Sequence, residues 1–138
     1  MKISYQTEFC AGYRLYRDDW SEEQNRQAYG ICASPNGHGH NYLFTVCVKG
    51  LVDSETGMLV DYQILKQIVD KEIVSKVDHL NLNKDIDFLN GVVPTNENLL
   101  IAFWEILTCH LPSGVNLDRL SLRESRDYLC EYFGPGNE

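Results

Sequence analysis

Two histidines separated by one glycine, His38 and His40, are the residues best placed for metal chemistry. They lead into residues 40–50, where the alternation of apolar and polar residues predicts a β-strand. Residues two apart on a strand point to the same side, so both imidazoles could bind one metal ion. A catalytic zinc site usually has three protein ligands, and the third must come from elsewhere in the chain. The pair alone leaves open whether a metal binds at all.

A thiol and an adjacent carboxylate–imidazole pair are candidates for proton transfer. Cys32 lies six residues before His38, and a loop thiol near a cation can act as a base or a nucleophile. Asp78 and His79 are neighbours, and a carboxylate fixes the tautomer of an imidazole. Each has a structural alternative, because Cys32 could be a small buried residue and His79 could bond to a helix-end carbonyl.

Glu124 shares one face of a predicted strand with Leu120 and Leu122. A carboxylate on an apolar face needs a partner, which could be an arginine of this chain or a ligand with a guanidine-like edge. His110, near the end of a predicted helix, is expected to bond to a helix carbonyl. The other four thiols are expected to be small buried residues: Cys10, Cys47, Cys109 and Cys130.

The elements that must position these residues give an α+β fold. Strands are predicted at about residues 9–13, 40–50, 120–124 and 128–132, and helices at about residues 65–77 and 95–107. Strands adjacent in sequence usually pair antiparallel, so we expect a four-stranded antiparallel sheet with two helices on one face. Its two open edges favour a homo-oligomer.

A long polar segment, residues 16–37, separates the first two strands. A connection of this length in a compact domain is more often functional than idle. The alternative is a plain surface excursion with one helical turn near residues 21–29. Since Cys32 lies in this segment, we expect the segment to contribute to the site.

The composition is typical of a globular chain. The sequence has 138 residues, and we expect a single domain over residues 1–138. The net charge of -8 argues against nucleic-acid partners and anionic membranes. No run of about 20 apolar residues and no signal-peptide pattern is present, so we expect no membrane partner. Five cysteines, an odd number at irregular spacings, favour a cytoplasmic protein with reduced thiols.

Taken in order, these pieces resemble the superfamily of 6-pyruvoyl-tetrahydropterin synthase and 6-carboxy-tetrahydropterin synthase. The most specific stretch is residues 32–42, CASPNGHGHNY. Supporting stretches are residues 9–15, 57–62, 65–66, 78–82, 94–98 and 122–124. The resemblance covers nearly the whole chain, from Phe9 to about Phe133.

The resemblance implies the tunnelling fold, a four-stranded antiparallel sheet with two helices on one face. This agrees with the α+β pattern read from the sequence. It also implies a homo-trimer or homo-hexamer with active sites between subunits. The substrate would be a pterin triphosphate, 7,8-dihydroneopterin triphosphate.

The resemblance also implies roles for individual residues. His38 and His40 match two of three zinc ligands. Cys32 matches the catalytic thiol that moves protons on the substrate side chain, and Asp78 and His79 match the pair that supports or relays them. The pterin pocket would be formed by Glu124, which anchors the ring, with Thr95, Asn96 and Glu97.

One position departs from the family pattern. The family's first zinc ligand is a histidine, and this chain has Tyr13 there. An unperturbed phenol ionises near about pH 10, so it is a poor ligand until a cation lowers its pKa. Three alternatives stay open: Tyr13 ligates zinc as a phenolate, zinc binds through His38 and His40 with water or substrate, or zinc is lost.

The predicted function is that of a 6-pyruvoyl-tetrahydropterin synthase-like lyase, a carbon–oxygen lyase acting on phosphates. The spacing from Cys32 to His38 is similar to that of the pyruvoyl branch. The alternatives are a 6-carboxy-tetrahydropterin synthase of queuosine biosynthesis and, because of Tyr13, a non-catalytic pterin-binding homologue. Three arginines are candidates for binding the triphosphate: Arg14, Arg17 and Arg26.

Overall fold

A computed structural model of the chain, which describes residues 1–137, contains one mixed sheet. Its strands in spatial order are β3 (Leu80–Asn81), β1 (Lys2–Tyr13), β2 (His38–Lys49), β4 (Asn116–Arg123) and β5 (Cys130–Tyr132). Strands β1, β2, β4 and β5 pair as antiparallel neighbours, as predicted. The α+β class is therefore confirmed. The strand count of four is wrong, because β3 (Leu80–Asn81) adds a fifth strand parallel to β1. Two residues are too few to show an alternating pattern.

The helices follow the apolar spacing of the sequence. Their bounds are Glu22–Tyr29 for α1, Tyr62–Val69 for α2, Ser75–Val77 for α3 and Asn96–Thr108 for α4. A π-helical turn, Asp70–Val74, joins α2 to α3, and 3-10 turns span Gly30–Ala33 and Asp87–Leu89. Thr95 caps α4 as predicted, since its side chain accepts a hydrogen bond from the Asn98 N–H.

One face of the sheet carries the core. Alternate residues of β1 and β2 point inward, and Phe9, Phe44 and Phe103 of α4 form an aromatic cluster with ring centroids 5.3–6.4 Å apart. Helices α2 and α4 supply the other half of the core, as Leu65 and Leu100 are fully buried. The opposite face of β1 is exposed along its length. The prediction of helices on one face is thus confirmed.

The long polar segment after β1 is ordered around one buried amide. The Asn25 side chain accepts a hydrogen bond from the Arg17 N–H at 2.8 Å and donates to the Arg17 and Ser21 carbonyls at 3.1 Å. Helix α1 begins with a capping box between Ser21 and Gln24. The segment is thus more than the single helical turn of the plain alternative, and it ends in the 3-10 turn that carries Cys32.

Three of the four cysteines predicted to be buried are less buried than expected: Cys10, Cys109 and Cys130. All five thiols are free in the structure, and Cys47 is buried. Cys10 is exposed because its side chain lies on the uncovered face of β1, and Cys109 is exposed because it follows the last turn of α4. Cys130 is half-buried. Among residues 1–137, no helix is long and apolar enough to cross a membrane.

Candidate active site

The register of β1 and β2 assembles the aromatic side of the site. Tyr13 pairs with His38 and Ala11 pairs with His40, so Tyr13 and both histidines lie on the same face of the two strands. The Tyr13 ring lies 4.6 Å from that of His38 and 5.8 Å from that of His40, centroid to centroid. The two imidazoles are 5.2 Å apart. The predicted His38–His40 pair therefore does share one side of the strand.

Glycine allows the close approach of the two strands at this point. A Cβ atom at Gly39 would lie 2.7 Å from the Ala11 carbonyl oxygen. A Cβ at Gly37, where φ is +69°, would lie 2.9 Å from the Tyr13 carbonyl oxygen. A side chain at either position would push the histidines away from Tyr13.

Glu124 follows β4 and faces the same cluster. Its Oε2 atom accepts a hydrogen bond from the Tyr13 hydroxyl at 3.4 Å and lies 4.0 Å from Nε2 of His40. Burial, and then the Glu124 charge, raise the pKa of Tyr13 to about 12. The phenol is therefore neutral near pH 7. The partner that the sequence demanded for Glu124 includes this phenol rather than an arginine.

A pocket of about 430 Å³ opens beside this cluster. Six of the predicted site residues line it: Tyr13, Cys32, Thr95, Asn96, Glu97 and Glu124. They come from the end of β1, the 3-10 turn, the start of α4 and the end of β4. Residues that are far apart in sequence are therefore brought to one cavity by the ends of four elements.

Four further residues of the pocket wall were missed by the sequence reasoning: Leu15, Tyr128, Leu129 and Cys130. Burial, and then the charges of Glu97 and Glu124, raise the pKa of the Cys130 thiol. The alternation of Tyr128 and Cys130 was visible in the sequence, but it carried no sign of which face meets the pocket. Tyr128 remains 72% exposed in the single chain.

Asp78 and His79 lie elsewhere on the chain, at the edge of β1. The Asp78 carboxylate accepts hydrogen bonds from the Cys10 N–H at 2.8 Å and lies 2.9 Å from Nδ1 of His79. The Cys10 N–H, and then His79, hold the pKa of Asp78 below its usual range. The pair forms as predicted, but neither residue lines the pocket that holds Cys32.

His79 has an uncommon backbone conformation. Its φ of +61° makes it the sole non-glycine residue with positive φ in residues 1–137. Hydrogen bonding of its N–H to the Cys10 carbonyl at 2.6 Å holds this conformation, while the side chain is 80% exposed. Strained residues of this kind concentrate at functional sites. The geometry favours a functional imidazole over the helix-end alternative; that alternative holds instead for His110, whose Nδ1 lies 2.8 Å from the Ile106 carbonyl oxygen.

Zinc fits the donor set only in part. Within residues 1–137, no three side chains of His, Cys, Asp or Glu come close enough to hold one metal ion. His38 and His40 offer two imidazoles, but the third position is the Tyr13 phenol, which donates to Glu124. The described residues therefore do not form the three-ligand set of a catalytic zinc site.

The three arginines predicted to bind the triphosphate have different surroundings. Arg14 contacts the Ala33 carbonyl and Glu22, and Arg17 forms a two-bond ion pair with Asp19. Arg26 lines a separate cleft beside α1. Arg14 and Arg17 are therefore already engaged by groups of the chain itself.

Comparison with known proteins identifies the family. Residues 2–135 match the family described as 6-pyruvoyl tetrahydropterin synthase, and the chain belongs to it. The 6-pyruvoyl tetrahydrobiopterin synthase of Pongo abelii is 38% identical over 133 residues, which are 96% of this chain and 91% of that protein. The structure of the Caenorhabditis elegans 6-pyruvoyl tetrahydropterin synthase has a TM-score of 0.89 at 33% identity and covers 97% of this chain and 95% of that one.

Family membership confirms the predicted superfamily and the predicted class of enzyme. The chain is a 6-pyruvoyl-tetrahydropterin synthase-like lyase, of the class that cleaves carbon–oxygen bonds to phosphates. The 6-carboxy-5,6,7,8-tetrahydropterin synthase of Synechocystis is a more distant relative, 30% identical over 102 residues, with 71% of this chain and 75% of that protein covered.

Replacing Tyr13 with phenylalanine should flatten the loss of stability at high pH. The phenol's pKa is about 10 in an unfolded chain and about 12 in the fold. Its contribution is therefore fully present below about pH 10 and is lost as the pH rises through the folded value. Urea unfolding of both proteins, with chelator present, should show a steeper fall above about pH 10 for the wild type. Below about pH 9 the free energies of unfolding of the two proteins should change with pH in parallel, which is the control. Equal slopes above about pH 10 would contradict a raised pKa for the Tyr13 phenol.

Replacing Tyr13 with histidine should create the missing zinc ligand. Loss of a group that only hydrogen-bonds to a zinc ligand lowers zinc affinity by about 10–100-fold, so an added direct ligand should raise the affinity by at least about tenfold. Competition of the purified protein with a chromogenic chelator measures the affinity directly. Tyr13→His combined with His38→Ala is the control and should lose the gain. Equal zinc affinity in wild type and Tyr13→His would contradict the expectation.

Proposed function

We propose that this chain converts 7,8-dihydroneopterin triphosphate into 6-pyruvoyl-tetrahydropterin with release of triphosphate. The observation that carries the proposal is the convergence of Cys32 and Glu124 on one pocket. A carboxylate that can bind the pterin and a thiol that can move protons then face the same substrate. The similarity to named 6-pyruvoyl synthases over nearly the whole chain supports the same product.

Glu124 binds the ring in this proposal. The pterin presents two adjacent N–H groups in a guanidine-like edge, and a carboxylate accepts both of them. The Tyr13 hydroxyl donates a hydrogen bond to one carboxylate oxygen at 3.4 Å and so limits the rotation of Glu124. Thr95, Asn96 and Glu97, at the start of α4, complete the wall on which the ring lies.

Cys32 acts on the substrate side chain. Removal of a proton from the carbon next to the phosphate-bearing carbon lets triphosphate leave and gives an enol, which becomes a ketone. The remaining side-chain alcohol loses two hydrogens, which the dihydropterin ring gains. This internal redox step needs no external oxidant. A thiol that takes up and returns protons suits both shifts.

A second copy of the chain supplies Asp78 and His79. Neither residue lines the Cys32 pocket of its own chain, yet the imidazole is 80% exposed and its conformation is fixed by β1. A site between subunits would bring this pair to the pocket of a neighbour. We therefore propose a homo-trimer or homo-hexamer, in which subunit contacts also cover the open edges of the sheet.

Zinc remains a proposal for His38 and His40. A zinc ion bound there would polarise the side-chain hydroxyls of the substrate. Because Tyr13 replaces the third ligand, the steps above rest on groups of the chain alone. The three alternatives stay as stated: a phenolate ligand, a two-histidine site, or no zinc. A non-catalytic pterin-binding protein is the functional counterpart of the last one.

A second candidate function is the 6-carboxy-tetrahydropterin synthase of queuosine biosynthesis. The Synechocystis relative supports it, but with lower identity and coverage than the pyruvoyl relatives. The two enzymes differ in cleavage of the side chain, so the product mass separates them. We also propose a cytoplasmic location, on the grounds of the free thiols.

Incubation with 7,8-dihydroneopterin triphosphate should give the pyruvoyl product and free triphosphate by mass spectrometry. Cys32→Ala should slow the reaction by about 10²–10⁴-fold, as expected for loss of a proton-transfer group. Cys109→Ala is the matched control, since that thiol is exposed at the far end of α4, and it should keep wild-type activity. Parallel runs with added zinc and with chelator show whether the reaction depends on metal.

Each outcome of this experiment has a distinct meaning. A carboxy product would support the second candidate function and contradict the first. Intact substrate under both metal conditions would support the pterin-binding alternative. Full activity of Cys32→Ala would remove the thiol from the mechanism while leaving the product assignment in place.

A mixture of two inactive variants tests the site between subunits. Cys32→Ala and His79→Ala, co-expressed in equal amounts, should recover about one quarter of the wild-type activity, because about one interface in four then joins two intact halves. The same variants purified apart and mixed without subunit exchange are the control. Activity confined to background would place Cys32 and His79 in one chain's site. An active His79→Ala variant on its own would remove His79 from catalysis.

A further inference from the structure

The Arg14 guanidinium grips one carbonyl of the turn that carries Cys32. Its Nε and Nη2 atoms both donate to the Ala33 oxygen, at 3.1 and 2.6 Å. The side chain is only 17% exposed, with the Tyr16 ring 4.3 Å from the guanidinium carbon and Glu22 3.3 Å from Nη2. A half-buried cation that is bound to a carbonyl and stacked on an aromatic ring is not free to reach a substrate.

The next residue along the chain holds the preceding carbonyl of the same turn. The Leu15 N–H donates to the Cys32 carbonyl at 2.8 Å. Two consecutive residues after β1 thus hold two consecutive carbonyls of the Gly30–Ala33 turn. The turn has no side-chain cap at its start, and these bonds tie it to the chain segment that leaves the sheet.

Arg14 is itself fixed at its backbone. The Asn83 side chain accepts a hydrogen bond from the Arg14 N–H at 2.8 Å and donates to the Arg14 carbonyl at 2.9 Å. One amide thereby supplies both bonds that a neighbouring strand would supply. The guanidinium therefore acts from a rigid base rather than from a loose loop.

We infer that Arg14 is a positioning residue that sets the place of the Cys32 thiol opposite Glu124. The inference rests on the proposed role of Cys32. Cys32 and Glu124 line one pocket. The Cys32 thiol belongs to a turn whose carbonyls accept hydrogen bonds from Arg14 and Leu15. A displacement of about 1 Å at a reacting group can lower a rate by about 10²-fold. The guanidinium thus raises kcat by fixing the position of the thiol, without contacting the substrate.

Arg14→Lys tests this inference because it retains the charge and removes the paired N–H groups. We expect kcat to fall by about 10–100-fold while KM changes by less than about twofold. Arg119→Lys is the matched control, since Arg119 is also ion-paired, to Glu131 at 2.8 Å, but far from the turn in sequence and on another strand. It should keep both constants.

The reactivity of Cys32 gives a readout that does not depend on turnover. Iodoacetamide labelling followed by peptide mass spectrometry should show faster labelling of Cys32 in Arg14→Lys, because the loosened turn exposes the thiol. Cys109 in the same molecule is the internal reference and should label at the wild-type rate. Arg14→Gln, which keeps an N–H donor without charge, replaces the lysine variant if that variant shows no cooperative thermal unfolding.

The outcomes separate a failure of this inference from a failure of the proposed function. A raised KM with unchanged kcat would overturn the positioning role in favour of a triphosphate contact. Unchanged kcat and unchanged labelling would overturn it outright. Adding Arg14→Lys to Cys32→Ala should cause no further loss, because both act through one thiol. Full activity of Cys32→Ala would overturn the proposed role of the thiol, whereas the labelling result would still report on the turn.

Discussion

The antiparallel pairing of β1 with β2 is the constraint on which the rest of the site depends. The twelve-residue register ends with Tyr13 opposite His38, at the point where the buried face of the sheet reaches the pocket. A shift of the register by one residue would move His38 and His40 to the uncovered face. Gly39 permits this alignment, since a Cβ at that position would clash with the Ala11 carbonyl.

The same pairing explains why the site is partly apolar. Along the inner face, Phe9 stacks on Tyr42 with centroids 4.9 Å apart, and the row continues through Tyr13 to the histidines. Core packing thus passes into the site without a break. Glu124, at the end of the neighbouring strand, contacts the Tyr13 phenol on one side and faces the pocket on the other. Burial of the phenol and the Glu124 charge keep Tyr13 neutral.

The sequence allowed much of this arrangement to be predicted, for reasons visible in particular residues. Alternation in residues 40–50 and the Thr95 cap marked β2 and α4, and both form. The family pattern placed Cys32, Glu124 and the start of α4 together, and they share the pocket. Short or context-dependent features were not accessible. β3 pairs over two residues, and the exposure of Cys10 depends on which face of β1 is covered.

The contact of Arg14 with Ala33 lay beyond sequence reasoning for a different reason. The sequence predicts that Arg14 is free to bind phosphate, because it shows the charge of the arginine and not its partner. The partner is the backbone carbonyl of Ala33, 19 residues away. Because every residue has a backbone carbonyl, the sequence gives no sign of which one binds the arginine. The bonds from Arg14 and Leu15 to the Cys32 turn form only when the chain after β1 packs against the turn that follows α1.

The π-helical turn joins α2 and α3 into one continuous helix over residues 62–77. It determines which way the side chains at the end of this helix point. A π turn contains one residue more than an α turn, and one residue rotates a helix by about 100°. Without it, Val77 would leave the core, where it is fully buried, and the Asp78 carboxylate would turn away from the Cys10 N–H. The extra residue also turns Glu72 inward, against Lys76 and His110. The number of residues in the helix therefore sets the direction in which the chain continues into Asp78 and His79.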